Sequence, residues 1–152
     1  MIRNILNFLI EVNKLKEIPR TGWVWRGIKD PETVADHTFG TAIIAWLLGE
    51  KAALNVKRAI KIALSHDLCE VYAGDITPNL YYPRLPKNPR ARKKVLMKWA
   101  RLSRKEKQKI EKVKFKTEKK SLLRLIKNLP PKEKNELFSC WLDFEWGISR
   151  EG

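Results

Sequence analysis

Apolar residues recur along this chain at intervals of three and four, and no stretch alternates in the manner of a strand. Ile2, Ile5, Leu6, Leu9, Val12 and Leu15 mark one face of a helix over residues 2–16. Pro19 ends it. Residues 19–30, with Gly22, Gly27 and two tryptophans, read as an ordered loop. Asp30-Pro31-Glu32 predicts the next start, with Asp30 as N-cap and Pro31 in the first turn. That helix should reach about Glu50, with Val34, Ile44, Ala45 and Leu48 on its apolar face. Asn55 predicts the cap of a third helix that runs to about Tyr72 through Ile60, Ala63 and Leu64, until Gly74-Asp75 stops it. Four prolines make residues 76–90 a loop. Ser103 reads as the N-cap of a long helix to about Asn128. Leu129-Pro130-Pro131 breaks that helix, and a last one is expected over about 132–146, with a stripe of Leu137, Phe138, Trp141 and Leu142. The expected fold is all-α, one domain over residues 1–152, a length with room for one core.

The charge is uneven. Residues 84–127 hold 19 of the 32 Lys and Arg and only three acids, Glu106, Glu111 and Glu118. The rest of the chain is near neutral. Such a segment attracts phosphates or nucleic acid, although a solvated lysine-rich helix face has the same composition. Only Cys69 and Cys140 are present, without a CxxC, which points to a reducing cytoplasm and away from a thiolate zinc site. No run reaches the roughly 18 to 20 apolar residues that cross a membrane. The N-terminal segment is interrupted by Asn4, Asn7 and Glu11 and reads as an amphipathic helix of the fold rather than a signal sequence.

The two histidines, His37 and His66, both fall on expected helices, and each has an acid beside it, Asp36 and Asp67. A lone helical histidine is ordinarily structural. Here the chain's whole supply stands in acid-flanked positions, and imidazole with carboxylate suits Mn, Fe, Co, Ni or Zn. A cation lying between His66 and Asp67 can meet both, with His37 arriving from a facing helix. Glu70 follows His66 by four residues and Asp67 by three, so it shares their face. It is placed to hold or deprotonate a water at the cation. Its competing reading is a surface carboxylate near a Lys or Arg.

RTGW, PETVADH and, about thirty residues later, ALSHDLCEVYAGDITP together resemble the HD superfamily. Within it they are most similar to the 5′-deoxynucleotidases, the group related to HD domain-containing protein 2. The likeness covers about residues 5–80 and returns weakly over 103–145. It implies an HD-domain helical bundle, a homodimer, and hydrolysis of deoxynucleoside 5′-monophosphates to nucleoside and phosphate with a divalent metal (Mn, Co, Ni, Fe, Zn or Mg). By motif position it implies His37, His66 and Asp67 as metal ligands and Glu70 as the acid that orients the water. Asp75 would contact the sugar, and Arg20 (preferred to Arg26) would take the phosphate.

The chain departs from the family pattern in two places. The family's fourth ligand is an Asp on a helix after an LWxxYE-like stretch, and the residues here run only to Gly152, just past Trp141-Leu142-Asp143-Phe144-Glu145. Asp143 is the one nearby candidate, but it matches a different family position; at most three protein ligands, His37, His66 and Asp67, are expected, with Asp143 as a fourth the alternative. Residues 83–102 look like a basic helical insertion beside the site mouth. Two other functions remain open: a different HD chemistry on a signalling nucleotide or triphosphate, and a nucleic-acid-binding protein using segment 84–127, Trp99 included, with a vestigial metal site.

Overall fold

The structure, a computed structural model, describes residues 2–76, 88–97 and 103–152. Among them the chain is helical throughout, and its one β contact is an isolated antiparallel bridge between Pro19 and Thr33. Helix α1 (Ile2–Val12) tightens into a 3-10 turn over Asn13–Glu17. A short α2 (Thr21–Trp25) leads to α3 (Val34–Lys51), α4 (Val56–Ser65), α5 (Glu70–Ala73), α6 (Pro89–Met97), α7 (Arg104–Leu125) and α8 (Pro131–Trp146). Helix α3 lies along α4, α4 meets α8, and α7 backs onto α5. The core gathers Leu15, Val34, Leu68, Cys69, Leu122, Ile126 and Trp141, so the turn between α4 and α5 sits at its centre. No described helix is long and apolar enough to cross a membrane.

Several boundaries differ from the sequence reading. Thr33, not Asp30, caps α3: its hydroxyl accepts from Asp36 N–H at 3.1 Å, and Asp36 accepts from Thr33 N–H at 2.9 Å. Val34 N–H donates to Ile18 carbonyl at 2.9 Å, which keeps residue 33 extended and delays the helix. The 19–30 loop contains the α2 turn. Pro89 opens a helix where a loop was expected to continue, because Asn88 accepts from Arg90 and Ala91 N–H as a cap. The remainder of that loop, Trp99, and much of the 83–102 insertion lie outside the described residues.

The third expected helix is broken. Helix α4 ends at Ser65 and α5 begins at Glu70, with three-residue hydrogen bonds from Leu68 to Ser65 and from Glu70 to Asp67 between them. Gly74, at φ 73°, stops α5 in the left-handed region, as its position predicted. The inward face of α3 also differs from the sequence expectation: Val34 is buried, but Ile44 and Leu48 are exposed. The helix is apolar on nearly every side, so periodicity cannot select a face.

Asp143 does not join the metal candidates. It is 1% exposed, takes an ion pair from Arg58 (Nε at 3.0 Å), and accepts from Ser149 N–H at 2.7 Å and Ser149 Oγ at 2.8 Å. Burial opposes its ionisation, but these donors hold the carboxyl below its ordinary range. It straps the chain after α8 onto the start of α4. Asp143→Ala should therefore lower stability by about 2 kcal/mol, the cost of stranding those donors, and should leave metal binding intact. Urea unfolding beside a metal titration checks both, and loss of metal with unchanged stability would reverse the assignment.

Candidate metal centre

His37 lies one turn into α3, and His66 and Asp67 occupy the tight turn after α4. Packing of α3 along α4 brings the three together. His66 Nε2 stands 3.0 Å from Asp67 Oδ2 and 3.4 Å from His37 Nε2, and His37 Nε2 is 3.8 Å from the same carboxylate oxygen. Two donors each about 2.1 Å from one cation and 90° to 109° apart are separated by about 3.0 to 3.4 Å. The measured spacings fall at or just above that range, so the residues fit a divalent ion. Among the described residues these three form the group of His, Cys, Asp and Glu donors that could hold a metal.

The donor atoms are aimed by their surroundings. His66 is buried, and its Nδ1–H donates to Ala63 carbonyl at 2.7 Å, which leaves the Nε2 lone pair facing His37 and Asp67. The ring of Phe144 packs against His66 at 4.9 Å. His37 has Glu32 3.9 Å from Nδ1, and Trp23 Nε1–H in turn donates to Glu32 at 2.9 Å. Burial and the nearby Arg20 push the His37 pKa down, which favours the neutral imidazole a metal requires. Burial works against ionised Asp67, yet contact with His66 and the Arg20 charge hold its carboxyl below the ordinary value.

Arg20 and three carboxylates stand beside this group. Arg20 Nη1 is 3.2 Å from Asp67, 3.5 Å from Asp75 and 3.8 Å from Glu70. One guanidinium among three acids leaves a negative site. Thr21 N–H and its hydroxyl anchor Asp75, donating to the carboxylate at 2.6 Å and to the backbone carbonyl at 2.8 Å. Glu70 is 4% exposed, and its Oε2 has no partner among the described residues. Burial, reinforced by Asp67 and Asp75, pushes its pKa up to about 9. An unpartnered buried acid facing two more carboxylates is a group built to meet a cation or a water. Arg26 instead lies over the Trp23 ring at 5.8 Å, so Arg20 is the arginine that the fold brings to the site. A cavity of about 390 Å³ adjoins, lined by Ile18, Pro19, Thr21, Val24, Gly74 and Asp75 among others.

Sequence reasoning missed the layer behind the turn. Ser121 on α7 donates to the Cys69 carbonyl and ties α7 to the HD turn. Glu118, one helical turn earlier, is 2% exposed, with Lys114 Nζ 3.3 Å away. No spacing rule links these residues to a turn some fifty positions earlier. Thr41, whose hydroxyl donates to His37 carbonyl at 2.9 Å, could have been found from its position one turn along the same helix.

Burial pushes the Glu118 pKa up to about 7, against the pull of Lys114. The folded value lies above the ordinary 4.5, so folding favours the protonated acid. The stability it contributes is complete below pH 4.5 and is lost as pH rises through about 7. Glu118→Gln should therefore flatten the fall in stability of the metal-free chain between those values, by on the order of 2 to 3 kcal/mol. Urea melts of both proteins across that range measure it, and parallel curves would contradict it.

The model of the HD domain family matches residues 12–152. The chain is 33% identical over 149 residues to the 5′-deoxynucleotidase HDDC2 of Bos taurus, covering 98% of this chain and 59% of that protein. The chain thus spans less than two thirds of the length of the curated relatives it matches. Among solved structures, a conserved hypothetical protein from Pyrococcus furiosus superposes with a TM-score of 0.64 at 26% identity, over 97% of this chain and 70% of that one. A protein described as a "predicted metal-dependent phosphohydrolase", from Magnetospirillum magnetotacticum MS-1, superposes with a TM-score of 0.65 at 22% identity, over 99% and 63%, which speaks for the fold.

Proposed function

This chain belongs to the HD-domain family, and we propose that it is a metal-dependent phosphohydrolase that converts deoxynucleoside 5′-monophosphates to deoxynucleosides and phosphate. The observation that carries the reading is the convergence of His37, His66 and Asp67 donor atoms beside a buried acid and a single arginine. The substrate class comes from the 5′-deoxynucleotidase relatives.

His37, His66 and Asp67 would hold the cation. When bound, it supplies positive charge for phosphoryl oxygens and acidifies water. Arg20 turns from its carboxylate partners to the phosphate, where its planar fork pairs with two oxygens. Ionised where a cation's charge offsets its carboxylate neighbours, Glu70 would orient the attacking water and take its proton; the P–O5′ bond breaks, and that proton is available to the departing 5′ oxygen. Asp75, anchored by Thr21 at the edge of the cavity, accepts from a sugar hydroxyl. The cavity lies in the range of small-molecule pockets, about 300 to 1,000 Å³. Its largely apolar wall suits a nucleoside.

Phosphate release from dAMP and dCMP, with Mn or Co added and with chelator, tests the reading. Metal-dependent release from the monophosphates and little from the triphosphates is expected. Release from triphosphates alone would favour the other HD chemistry. We further read the protein as a cytoplasmic homodimer. The two thiols, Cys69 and Cys140, are free and buried. The outer face of α3 leaves Phe39, Ile43, Trp46 and Leu47 exposed, a patch that a second copy would cover. Sedimentation should give twice the chain mass, and Trp46→Glu should shift it to monomer. The domain reading, one HD domain with a basic insertion at about 83–102, accompanies this proposal.

A further inference from the structure

Helix α7 carries two unlike faces. Its buried face presents Glu118, Ser121, Leu122 and Leu125 to the core and to the HD turn. On the opposite side stand Lys105, Lys109, Lys112, Lys116 and Lys120, all exposed. At 100° per residue these five lie within an arc of about 80°, and at 1.5 Å rise they extend over roughly 22 Å. Between Lys105 and Lys120 the arc contains neither an acid nor an apolar residue. Glu106 is taken up by the Ser103 cap, Glu118 is buried, and Glu111, though exposed, lies about 100° or more around the helix from the ridge. Among the described residues no carboxylate stands within 4.0 Å of any of the five; the nearest lysine pair on this helix is Lys114 with Glu118, on the core side.

This arrangement is not what solvation alone selects. An exposed helix ordinarily intersperses acids and bases at i, i+4, where they attract. Here the i, i+4 neighbours Lys105 and Lys109, Lys112 and Lys116, and Lys116 and Lys120 repel one another, and no acid relieves them. A polyanion would. We propose that this lysine ridge is a docking surface for the phosphodiester backbone of a nucleic acid. One strand presents a phosphate about every 3.4 Å, so about six lie along the ridge. All five side chains are lysines, point charges without the planar fork that reads base edges, so the surface takes backbone without sequence preference. A membrane surface is the poorer match. Helices that lie on bilayers bury an apolar face in the lipid, and the apolar face of α7 is already spent on the core. The ridge points away from the HD turn, so a strand docked there leaves the metal site open.

The inference stands apart from the proposed activity, because its readout is binding. A fluorescein-labelled 20-nucleotide DNA strand, titrated with the full chain between 50 and 200 mM salt, measures it by anisotropy. Two variants with equal loss of charge are compared. One carries Lys→Gln at 105, 109, 112 and 116; the other carries Lys→Gln at the exposed positions 29, 51, 57 and 132. The ridge variant should weaken binding at least tenfold and lower the log–log salt slope by about 2 to 3, at about 0.7 per lost phosphate contact on a single strand. The control variant should change far less. Equal losses in the two variants, or none in the ridge variant, would overturn the proposal. Preferential, ridge-dependent binding to phosphatidylserine vesicles would overturn it as well. Circular dichroism of both variants ensures that α7 still folds.

Discussion

His37→Ala and Asp67→Ala should each yield a protein without stoichiometric divalent metal and without phosphohydrolase turnover. Each change removes one of three donors whose atoms lie 3.0 to 3.8 Å apart. With so few protein ligands, each one lost removes both charge and geometry from the ion. The loss of affinity should exceed the 10- to 100-fold typical of a residue that only supports a ligand. His37 is the cleaner test, because its side chain is 29% exposed and its removal leaves little cavity. Stability supplies a second readout. A saturating metal at 100 times its Kd stabilises the unsubstituted chain by about 2.7 kcal/mol. Neither variant should show that gain. Elemental analysis and melting curves with and without Mn decide the matter, and unchanged metal content in both variants would end the assignment.

Glu70→Gln should keep the metal and lose turnover by about 10² to 10⁴, the range for removing a general base. The isosteric amide preserves the fit within the core but cannot accept a proton. Burial and the neighbouring carboxylates already hold Glu70 with a pKa of about 9 in the metal-free chain, so at neutral pH it is mostly protonated there. The amide therefore resembles the native side chain in that state, and metal-free stability should change little. A general base and a merely structural acid separate on this point: the first loses rate at constant stability, the second loses stability first. A Glu70→Gln enzyme with unchanged kcat would show that the residue is structural.

The helical class and the approximate helix ends were legible because capping and proline signals are local. Ser103 and Asn55 cap where their side chains predict. The cap of α3 differs because Thr33 competes with Asp30 and wins where the next residue, Val34, donates its N–H to the Ile18 carbonyl, a long-range contact that no local rule contains. The break at 66–69 escaped for the same reason. Periodicity continues through it, while the His66 contact with Ala63 and the Ser121 contact with Cys69 tighten the chain. The residues proposed for the site were legible as a set, since His37, His66, Asp67, Glu70, Asp75 and Arg20 do come together in space. What could not be read was their support from α7 and α8: Glu118, Ser121 and Phe144 reach the site only through packing. Asp143, the one nearby candidate for the fourth ligand that the family resemblance implies, is committed to Arg58 and Ser149.

Crystals of the chain grown with Mn²⁺ and measured for anomalous scattering test the central claim most directly. One peak is expected within about 2.0 to 2.2 Å of His37 Nε2, His66 Nε2 and an Asp67 carboxylate oxygen, with Asp143 still on Arg58 and Glu70 beside the ion rather than bound to it. A peak bound by Asp143, or no peak with Arg20 still paired to Asp67, would contradict the account.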